Sequence, residues 1–410
     1  MRYVIIGNSA AAVGAVEGIR QVDAEGVLTV VAQEPHFTYS RPLISYLLQG
    51  RTDEQRMRYR PAGFYERMGC EARLGQTVTA LQPEAHTLTL STGETLPYDR
   101  LLVAAGSRPF VPPLPGLDAA PDAQPFWSLD DARALARKLT PASRVLILGA
   151  GLIGLKCAEG ISGRCASITV VDLASHILPS ILDEQAAGLV QHHLEQRGLS
   201  FRLGDAVSAL SPQAATLQSG QTLPFDQLVL AVGVRPNTSL VEAAGGQVAR
   251  GIVTDDACRT TLPDVYAAGD CAECLDCVTG NRRVLALLPN AYAQGRCAGI
   301  NMAGGQATYD HALAMNAISL FGLHILSAGD YDGDAYLECD ERHYKKLCAQ
   351  GDRLRGFILV GDVAQAGIYT ALIREATPLS AIDYNLICRK PQLLAFSRQE
   401  RVRKLGGMPA

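Results

Sequence analysis

The sequence has few aromatic residues, little excess charge and no long apolar run. Of its 410 residues 6% are aromatic, one of them tryptophan, and the formal net charge is −4. Without a basic excess, a surface for nucleic acid is not expected. The longest apolar runs, such as 101–105 and 145–149, are far too short to cross a bilayer. These absences argue against nucleic-acid and membrane partners.

A secretion signal and a regular cysteine framework are also lacking. The apolar N-terminal stretch is interrupted by Gly7 and Glu17, and eleven cysteines, an odd number, are scattered along the chain. Such usage is typical of free thiols in a reducing compartment. We therefore expect a cytoplasmic protein.

What the sequence does contain is a duplicated pattern. Residues 3–31 and 144–171 each have an apolar strand, a glycine turn, a helix-compatible run and a second strand, which predicts two β-α-β units. Segment 91–109 also aligns without gaps to 218–236. The residues that recur in the second segment are Gly93, Thr95, Leu96, Pro97, Asp99, Leu101, Ala104, Gly106, Arg108 and Pro109. The chain therefore holds two versions of one dinucleotide-binding architecture.

The first unit carries a relaxed dinucleotide fingerprint. Gly7 can form the turn, while Ser9 and Ala12 are small enough for close approach of a pyrophosphate and of the helix to the strand. Glu34 follows the next strand, where a carboxylate can accept hydrogen bonds from a ribose. An ordinary strand–turn–helix remains an alternative for this motif alone.

The second unit has the complete fingerprint, Gly149, Gly151 and Gly154, with Ile153 inside it. It follows a strand and opens a helix, which is the context that dinucleotide binding requires. Asp172 closes the following strand at the spacing expected of a ribose-binding acid. A carboxylate there repels a 2′-phosphate, which favours NADH over NADPH, although a solvated turn aspartate is the alternative.

Further motifs extend this pattern over nearly the whole chain: 39–45, 98–109, 231–238, 266–273, 289–295 and 355–362. With them the chain resembles the two-dinucleotide-binding-domain flavoproteins of the pyridine nucleotide–disulfide oxidoreductase superfamily. Within it, the sequence is most similar to NADH-dependent rubredoxin and ferredoxin reductases and to the flavin part of assimilatory nitrite reductases.

The resemblance implies an α/β fold with two Rossmann-like three-layer domains and a small C-terminal α/β domain. The expected boundaries are 1–115 and 241–320 for FAD, 116–240 for NAD and 321–410 for a C-terminal interface domain.

The resemblance also implies roles for single residues. Gly7 and Ser9 would line the FAD pyrophosphate, Glu34 its ribose, Arg41 and Pro42 the flavin, and Asp270 the ribityl chain. The remaining candidate cofactor contacts are Ala12, Val78, Ala105, Gly106, Arg108, Gly149, Gly151, Ile153, Gly154, Asp172, Gly233 and Gly269.

Two departures from the superfamily bear on mechanism. Residues 41–49 contain no cysteine, which argues against a thiol relay at the flavin. Ferredoxin reductases often have a lysine where this chain has Tyr46, facing a glutamate after the second fingerprint. Here Lys156 and Glu159 follow that fingerprint, so Tyr46, Lys156 and Glu159 are the candidate catalytic residues. A surface lysine on a helix is the alternative.

Cys271, Cys274 and Cys277 have a spacing known from iron–sulfur ligation, but a fourth nearby cysteine is missing. We interpret them as free thiols and predict no metal site.

The sequence thus predicts an FAD-dependent enzyme that exchanges hydride with NAD and single electrons with an iron–sulfur protein or subunit. It would be a rubredoxin or ferredoxin reductase, or the flavin subunit of a larger complex such as an aldehyde oxidoreductase, and a homodimer or part of a hetero-oligomer. The basic stretch 51–60 and the basic C-terminal segment are candidate docking surfaces. An NADH oxidase or peroxidase and a non-catalytic flavin- and NAD-binding regulatory subunit are the alternatives.

Overall fold

The computed structural model describes residues 1–120 and 122–405. The strands, in chain order, are β1 Arg2–Ile6, β2 Val27–Ala32, β3 Cys70–Leu74, β4 Val78–Gln82, β5 Thr87–Leu90, β6 Thr95–Pro97, β7 Arg100–Val103, β8 Ser107–Pro109, β9 Ala123–Pro125, β10 Arg144–Leu148, β11 Ser167–Asp172, β12 Leu199–Leu203, β13 Val207–Ser211, β14 Ala214–Leu217, β15 Thr222–Pro224, β16 Gln227–Leu230, β17 Val234–Pro236, β18 Val265–Ala267, β19 Cys274–Leu275, β20 Arg282–Arg283, β21 Met315–Leu320, β22 Leu323–Gly329, β23 Asp334–Cys339, β24 Tyr344–Gln350 and β25 Arg353–Val360. The helices are α1 Ala10–Val22, α2 Ile44–Leu48, α3 Phe64–Arg67, α4 Leu129–Lys138, α5 Leu152–Ile161, α6 Glu184–Glu195, α7 Ser239–Ala243, α8 Leu288–Met302, α9 Ala366–Arg374, α10 Tyr384–Arg389 and α11 Arg398–Lys404.

The first unit is built on a parallel sheet of order β18-β7-β1-β2-β3. Its central strand β1 is apolar and buried beyond Arg2, as a strand covered on both faces must be. Helices α1 and α8 pack against each other through glycine. A Cβ placed on Gly295 would lie 1.9 Å from the carbonyl oxygen of Ala11, so these two backbones approach as closely as only glycine allows.

The second unit repeats this arrangement. Its parallel sheet has the order β12-β11-β10-β16-β9, and the three-stranded meander β13-β14-β15 corresponds to β4-β5-β6 of the first unit. The two gapless sequence segments occupy equivalent places, and their last strands, β8 and β17, pair antiparallel with each other. The predicted duplication and fold class are confirmed.

The C-terminal unit is an antiparallel sheet of order β21-β22-β25-β24-β23 with α9 packed against it. Its first strand, Met315–Leu320, pairs along its whole length with β22 and therefore belongs to this sheet. The unit thus begins before residue 321, the boundary expected from the sequence. A shared apolar cluster joins all three units, with Ile44 from α2, Leu155 from α5 and Ile325 from β22 among its members.

Within residues 1–120 and 122–405 we find no helix with the length and apolarity needed to cross a membrane.

Candidate cofactor site

A cavity of about 430 Å³ lies at the carboxyl ends of the first unit's strands. The turn after β1 lines it through Gly7, Ser9 and the start of α1. Gly7 has φ +115°, and a Cβ on it would lie 2.1 Å from the carbonyl oxygen of Ala104, so this turn requires glycine. The Ser9 side chain does not cap α1. The amino end of the 13-residue helix α1 therefore faces the cavity, and the Ser9 side chain does not occupy its first backbone N–H groups. A phosphate-binding turn requires such free N–H groups.

Glu34 lies on the same cavity wall and is held by two neighbours. Its carboxylate pairs with the Arg41 guanidinium, and the Tyr39 hydroxyl donates to Oε2 at 2.7 Å. Burial raises the pKa of Tyr39, which keeps this hydroxyl protonated as a donor. The Tyr39 hydroxyl oxygen also accepts a hydrogen bond from the backbone N–H of Leu129, the first residue of α4, at 3.0 Å. Glu34 is thus fixed both to its own unit and, through Tyr39, to the second.

Asp270 closes the opposite side of the cavity, directly after β18 and Gly269. The Ser107 hydroxyl donates to its Oδ2 at 3.2 Å, and burial raises the pKa of this carboxyl above its usual range. The Gly269 N–H is bound by Gln294 Oε1 at 2.6 Å, which fixes the turn. A partly buried carboxylate with few protein partners is suited to accept hydrogen bonds from ligand hydroxyls.

Residues of the second unit complete this cavity. Trp127, Ser128 and Asp131 line it together with the first unit's residues. The His36 ring also bonds Asp130 across the same junction at 2.8 Å. A ligand in this cavity is therefore contacted by both units.

The second fingerprint opens α5. Gly149 has φ +111°, and a Cβ on Gly154 would lie 2.0 Å from the Gly149 carbonyl oxygen. A Cβ on Gly151, by contrast, would meet no atom within 4 Å, which leaves open space for a pyrophosphate. Asp172 accepts the N–H of Ala150 at 2.6 Å and that of Ala174 at 2.8 Å. Its carboxylate therefore shapes the fingerprint turn, in addition to the ribose contact predicted for it.

The three candidate catalytic residues lie together. Lys156 pairs with Glu159 on α5, and its Nζ lies 4.5 Å from the centre of the Tyr46 ring on α2. The Glu159 side chain is only 6% exposed and that of Lys156 15%, so the lysine does not extend into bulk solvent. The Lys156 side chain is thus mostly enclosed, and the catalytic role of the three residues stays a prediction.

The C-terminal unit contributes to this cluster, which the sequence did not indicate. Lys156 Nζ donates to the Ser319 carbonyl oxygen at 3.3 Å, and the Phe321 N–H donates to Glu159 Oε1 at 2.7 Å. Both contacts use backbone atoms of the β21–β22 hairpin, one at the end of β21 and one in the turn that follows it. Since any residue type supplies those atoms, no side-chain signal marked them. The sequence also did not single out Tyr39, Ser107 or Trp127, although Tyr39 lies in segment 39–45, Ser107 lies in segment 98–109 and Trp127 is the only tryptophan.

The cavity brings together nine predicted cofactor residues, namely Gly7, Ser9, Glu34, Arg41, Ala105, Gly106, Arg108, Gly269 and Asp270. Ala12, Pro42 and Val78 are not on its wall: Ala12 is buried within α1, Pro42 lies in the short turn Arg41–Leu43, and Val78 is the first residue of β4. Ile153 and Gly233 lie at the second fingerprint and at the loop after β16.

The cysteine run does not converge on one point. The Cys271 thiol contacts the carbonyl oxygens of Val103 and Ala268, whereas the Cys274 thiol contacts that of Arg283. No group of three potential metal ligands is found in the part of the chain that the structure describes.

The candidate docking surfaces are neutralised in part. In the basic stretch Arg56 pairs with Asp53 and Arg60 with Glu17. In the C-terminal segment Arg403 and Lys404 both pair with Glu375. A docking role for either surface remains a prediction, and both surfaces carry less unpaired positive charge than the sequence indicated.

Comparison with known proteins agrees with this geometry. The family model of pyridine nucleotide-disulphide oxidoreductases matches residues 1–295, and that of the rubredoxin NAD⁺ reductase C-terminal domain matches residues 315–377. The chain is 32% identical over 394 residues to the NADH-dependent phenylglyoxylate dehydrogenase subunit epsilon of Aromatoleum evansii, covering 93% of both chains. It is 31% identical over 398 residues to the rubredoxin-NAD(+) reductase of Acinetobacter baylyi, covering 92% of this chain and 98% of the relative.

Longer relatives and solved structures also match. The chain covers 48% of the nitrite reductase of Bacillus subtilis, at 29% identity. A chain in the crystal structure of the covalent putidaredoxin reductase–putidaredoxin complex superposes with a TM-score of 0.89 over 99% of both chains, at 24% identity. That likeness establishes the fold.

Fold and site together define a flavoprotein oxidoreductase with two dinucleotide-binding units. The chain belongs to the pyridine nucleotide-disulphide oxidoreductase family. It is an FAD-containing enzyme that uses NAD(H), as the sequence predicted.

Proposed function

We propose that this enzyme exchanges hydride with NAD(H) and passes single electrons to or from an iron–sulfur protein or subunit. The observation that supports it most directly is the shared cavity, in which Gly7, Glu34 and Asp270 of the first unit face Trp127 and Ser128 of the second. A flavin cofactor held there is enclosed by the unit that also binds the nicotinamide cofactor. Such alignment is the protein's main contribution to cofactor chemistry.

The residues have distinct proposed tasks. The turn at Gly7 and the start of α1 hold the FAD pyrophosphate, Glu34 the adenosine ribose and Asp270 the ribityl hydroxyls. The turn 149–154 and Asp172 hold NAD(H). When bound, FAD supplies the conversion between two-electron exchange with nicotinamide and one-electron exchange with a metal centre.

Lys156 and Glu159 are proposed to set the charge environment where the two cofactors meet. Their ion pair is enclosed between α2, α5 and the β21–β22 hairpin. A positive group fixed in such a partly dry place exerts a stronger electrostatic effect than one in water. Tyr46 covers the ammonium group on one side and so limits its hydration.

The outlet for electrons is proposed to be another protein rather than a thiol. Cys70 is the first cysteine after the cysteine-free stretch 41–49, and it is buried. Burial raises the pKa of its thiol to about 12, which makes it a poor nucleophile. The similarity to rubredoxin-NAD(+) reductase supports a small iron–sulfur carrier as the partner.

An anaerobic stopped-flow experiment tests this function. The FAD-loaded protein is reduced with NADH while bleaching of the flavin band is followed, and it is then mixed with oxidised ferredoxin or rubredoxin, or with aerated buffer. Fast reoxidation by a protein carrier and slow reoxidation by air are expected. The opposite order would make the enzyme an NADH oxidase, and negligible turnover with every acceptor would make it a regulatory flavoprotein.

A second candidate is a flavin subunit within a larger iron–sulfur complex. It is favoured by the 32% identity with a protein named as a dehydrogenase subunit. Anaerobic purification of the tagged chain from its native host tests it. Stoichiometric co-purification of iron-containing subunits supports the complex, whereas an isolated monomer or homodimer that reduces a soluble carrier rules it out.

A further inference from the structure

Two arginines face each other across the strands that connect the FAD and NAD units. In the antiparallel pair β8–β17, Arg235 is directly opposite Arg108. Side chains directly opposite in such a pair have Cβ atoms about 5 Å apart, and like charges there repel each other. The arrangement therefore costs free energy unless an anion lies between them or beside them.

Neither guanidinium has a carboxylate partner within residues 1–120 and 122–405. Arg108 donates to the neutral amide oxygen of Asn237 at 3.0 Å. The Arg235 guanidinium lies over the Phe110 ring, 4.4 Å from its centre, and makes only a long contact of 3.4 Å with the Val234 carbonyl oxygen. Most of their hydrogen-bond donors remain available for a ligand.

A third arginine joins them around one cavity. Arg108, Arg235 and Arg250 all line a cavity of about 590 Å³. The Arg250 backbone N–H donates to Glu273 Oε1 at 2.9 Å, but no carboxylate pairs with its guanidinium in the described part of the chain. Phe110, Val111 and Thr238 form much of the remaining wall. All three arginines are exposed and the cavity is open to solvent, so it presents three positive groups without carboxylate partners, one hydroxyl and an apolar surface to a ligand.

From this geometry we propose a second ligand site, specific for a phosphorylated organic molecule of nucleotide size. Guanidinium groups bind phosphate oxygens through paired, charge-assisted hydrogen bonds, which explains three of them around one cavity. The apolar wall of Phe110 and Val111 suits an organic group attached to the phosphate. The volume is of the order of ordinary small-molecule sites.

The site is separate from the proposed NAD turn at 149–154 and from Asp172, none of which lines this cavity. It is nevertheless adjacent to the FAD cavity, because Arg108 and Pro109 line both. The proposal does not depend on the identity of the electron acceptor.

Calorimetric titration of the FAD-loaded enzyme with inorganic pyrophosphate, in saturating NAD⁺, tests the site. Pyrophosphate is expected to bind, and ADP to bind more tightly than pyrophosphate because it adds an organic group. Arg235→Gln and Arg250→Gln should each weaken both by about tenfold or more, the effect of losing one charge-assisted contact. Arg197→Gln is the matched control, because it removes an exposed arginine that does not line the cavity. It should change neither the affinity for pyrophosphate nor that for ADP.

Thermal unfolding at low salt provides a second readout. Without added anion, Arg235→Gln should melt above the wild type because a repulsion is removed. With pyrophosphate the wild type should gain more than the variant, so the difference shrinks or reverses. Absence of pyrophosphate binding, its loss on adding NAD⁺, equal weakening in Arg197→Gln, or ADP binding no tighter than pyrophosphate would each overturn the proposal. Arg250 lies in the loop between α7 and β18, where a substitution does not disturb a helix or strand. Arg250→Gln therefore still tests the site if Arg235→Gln does not fold.

Discussion

The ammonium group of Lys156 lies 4.5 Å from the centre of the Tyr46 ring, so that α5 of the second unit contacts α2 of the first unit through a cation–π interaction. The positive charge is supplied from α5, where it lies beside Glu159, and the aromatic ring is supplied from α2.

Replacing Lys156 by glutamine is expected to destabilise the protein by about 3 kcal/mol, because it leaves a buried carboxylate without its cation. Glu159 then retains only the bond from the Phe321 N–H among these contacts. The same variant should slow reduction of the flavin by NADH by about tenfold, since a charge fixed near the reacting groups is lost. Denaturant unfolding and anaerobic stopped-flow absorbance measure the two effects.

The double variant Lys156→Gln/Glu159→Gln separates stability from rate. It should recover most of the stability, because no unpaired charge remains buried, but not the rate. Lys138→Gln is the matched control, since Lys138 pairs with Asp122 at the surface and such pairs contribute about 1 kcal/mol or less. A double variant with full wild-type reduction rates would remove the proposed role of this pair.

Asp172 is expected to determine the preference for NADH. Substitution by asparagine keeps a side-chain oxygen that can accept the Ala150 N–H but removes the charge that repels a 2′-phosphate. We expect the ratio of kcat/KM for NADH to that for NADPH to fall by about tenfold, equivalent to about 1.4 kcal/mol. Steady-state kinetics with both cofactors measure this ratio.

Alanine at the same position should act differently. It also removes the acceptor for the N–H groups of Ala150 and Ala174, so the fingerprint turn loses its support and affinity for both cofactors should fall. An unchanged cofactor ratio in both variants would show that Asp172 serves the turn alone.

Asp270 should make the FAD-free protein less stable as the pH rises. Burial raises the pKa of its carboxyl in the folded state above the ordinary value of 3.8. At a pH between the ordinary pKa and the raised pKa of the folded state, the folded state binds more protons than the unfolded state. The stability that this carboxyl contributes is therefore present below the ordinary pKa and is lost as the pH rises through the pKa of the folded state. Asp270→Asn should abolish that part of the pH dependence.

The measurement is the melting temperature of the FAD-free wild type minus that of Asp270→Asn, between about pH 4 and pH 7. The difference should become more negative with rising pH. Quenching of the Trp127 fluorescence by added FAD then gives the affinity, because Trp127 lines the same cavity. Weaker FAD binding in a variant that is more stable at neutral pH is the expected combination, and a pH-independent difference would contradict it.

Much of this architecture follows from the sequence because it depends on short-range patterns. The turn chemistry at Gly7 and Gly149 and the repeat of segment 91–109 in segment 218–236 need only local spacing to be recognised. The contacts of Lys156 and Glu159 with the β21–β22 hairpin could not be predicted, since they join backbone atoms about 160 positions away. The pairing of Arg108 with Arg235 was equally hidden: alignment shows that the strands are equivalent, not that they hydrogen-bond to each other.

The close crossing of α1 and α8 provides the last prediction. Gly295→Ala would place a Cβ 1.9 Å from the Ala11 carbonyl oxygen, a backbone atom that cannot move away without displacing α1. Since α1 begins at the turn that lines the FAD cavity, the substitution should cost about 2 kcal/mol or more and weaken FAD binding as well. Gly188→Ala is the control, because Gly188 is an exposed glycine within α6 and its added Cβ meets nothing within 4 Å. That control should stabilise the protein by up to about 1 kcal/mol through helix propensity. Chemical unfolding measures the free energy of unfolding of both variants. Equal values for the two would show that α1 and α8 can move apart without loss of stability, which contradicts the prediction.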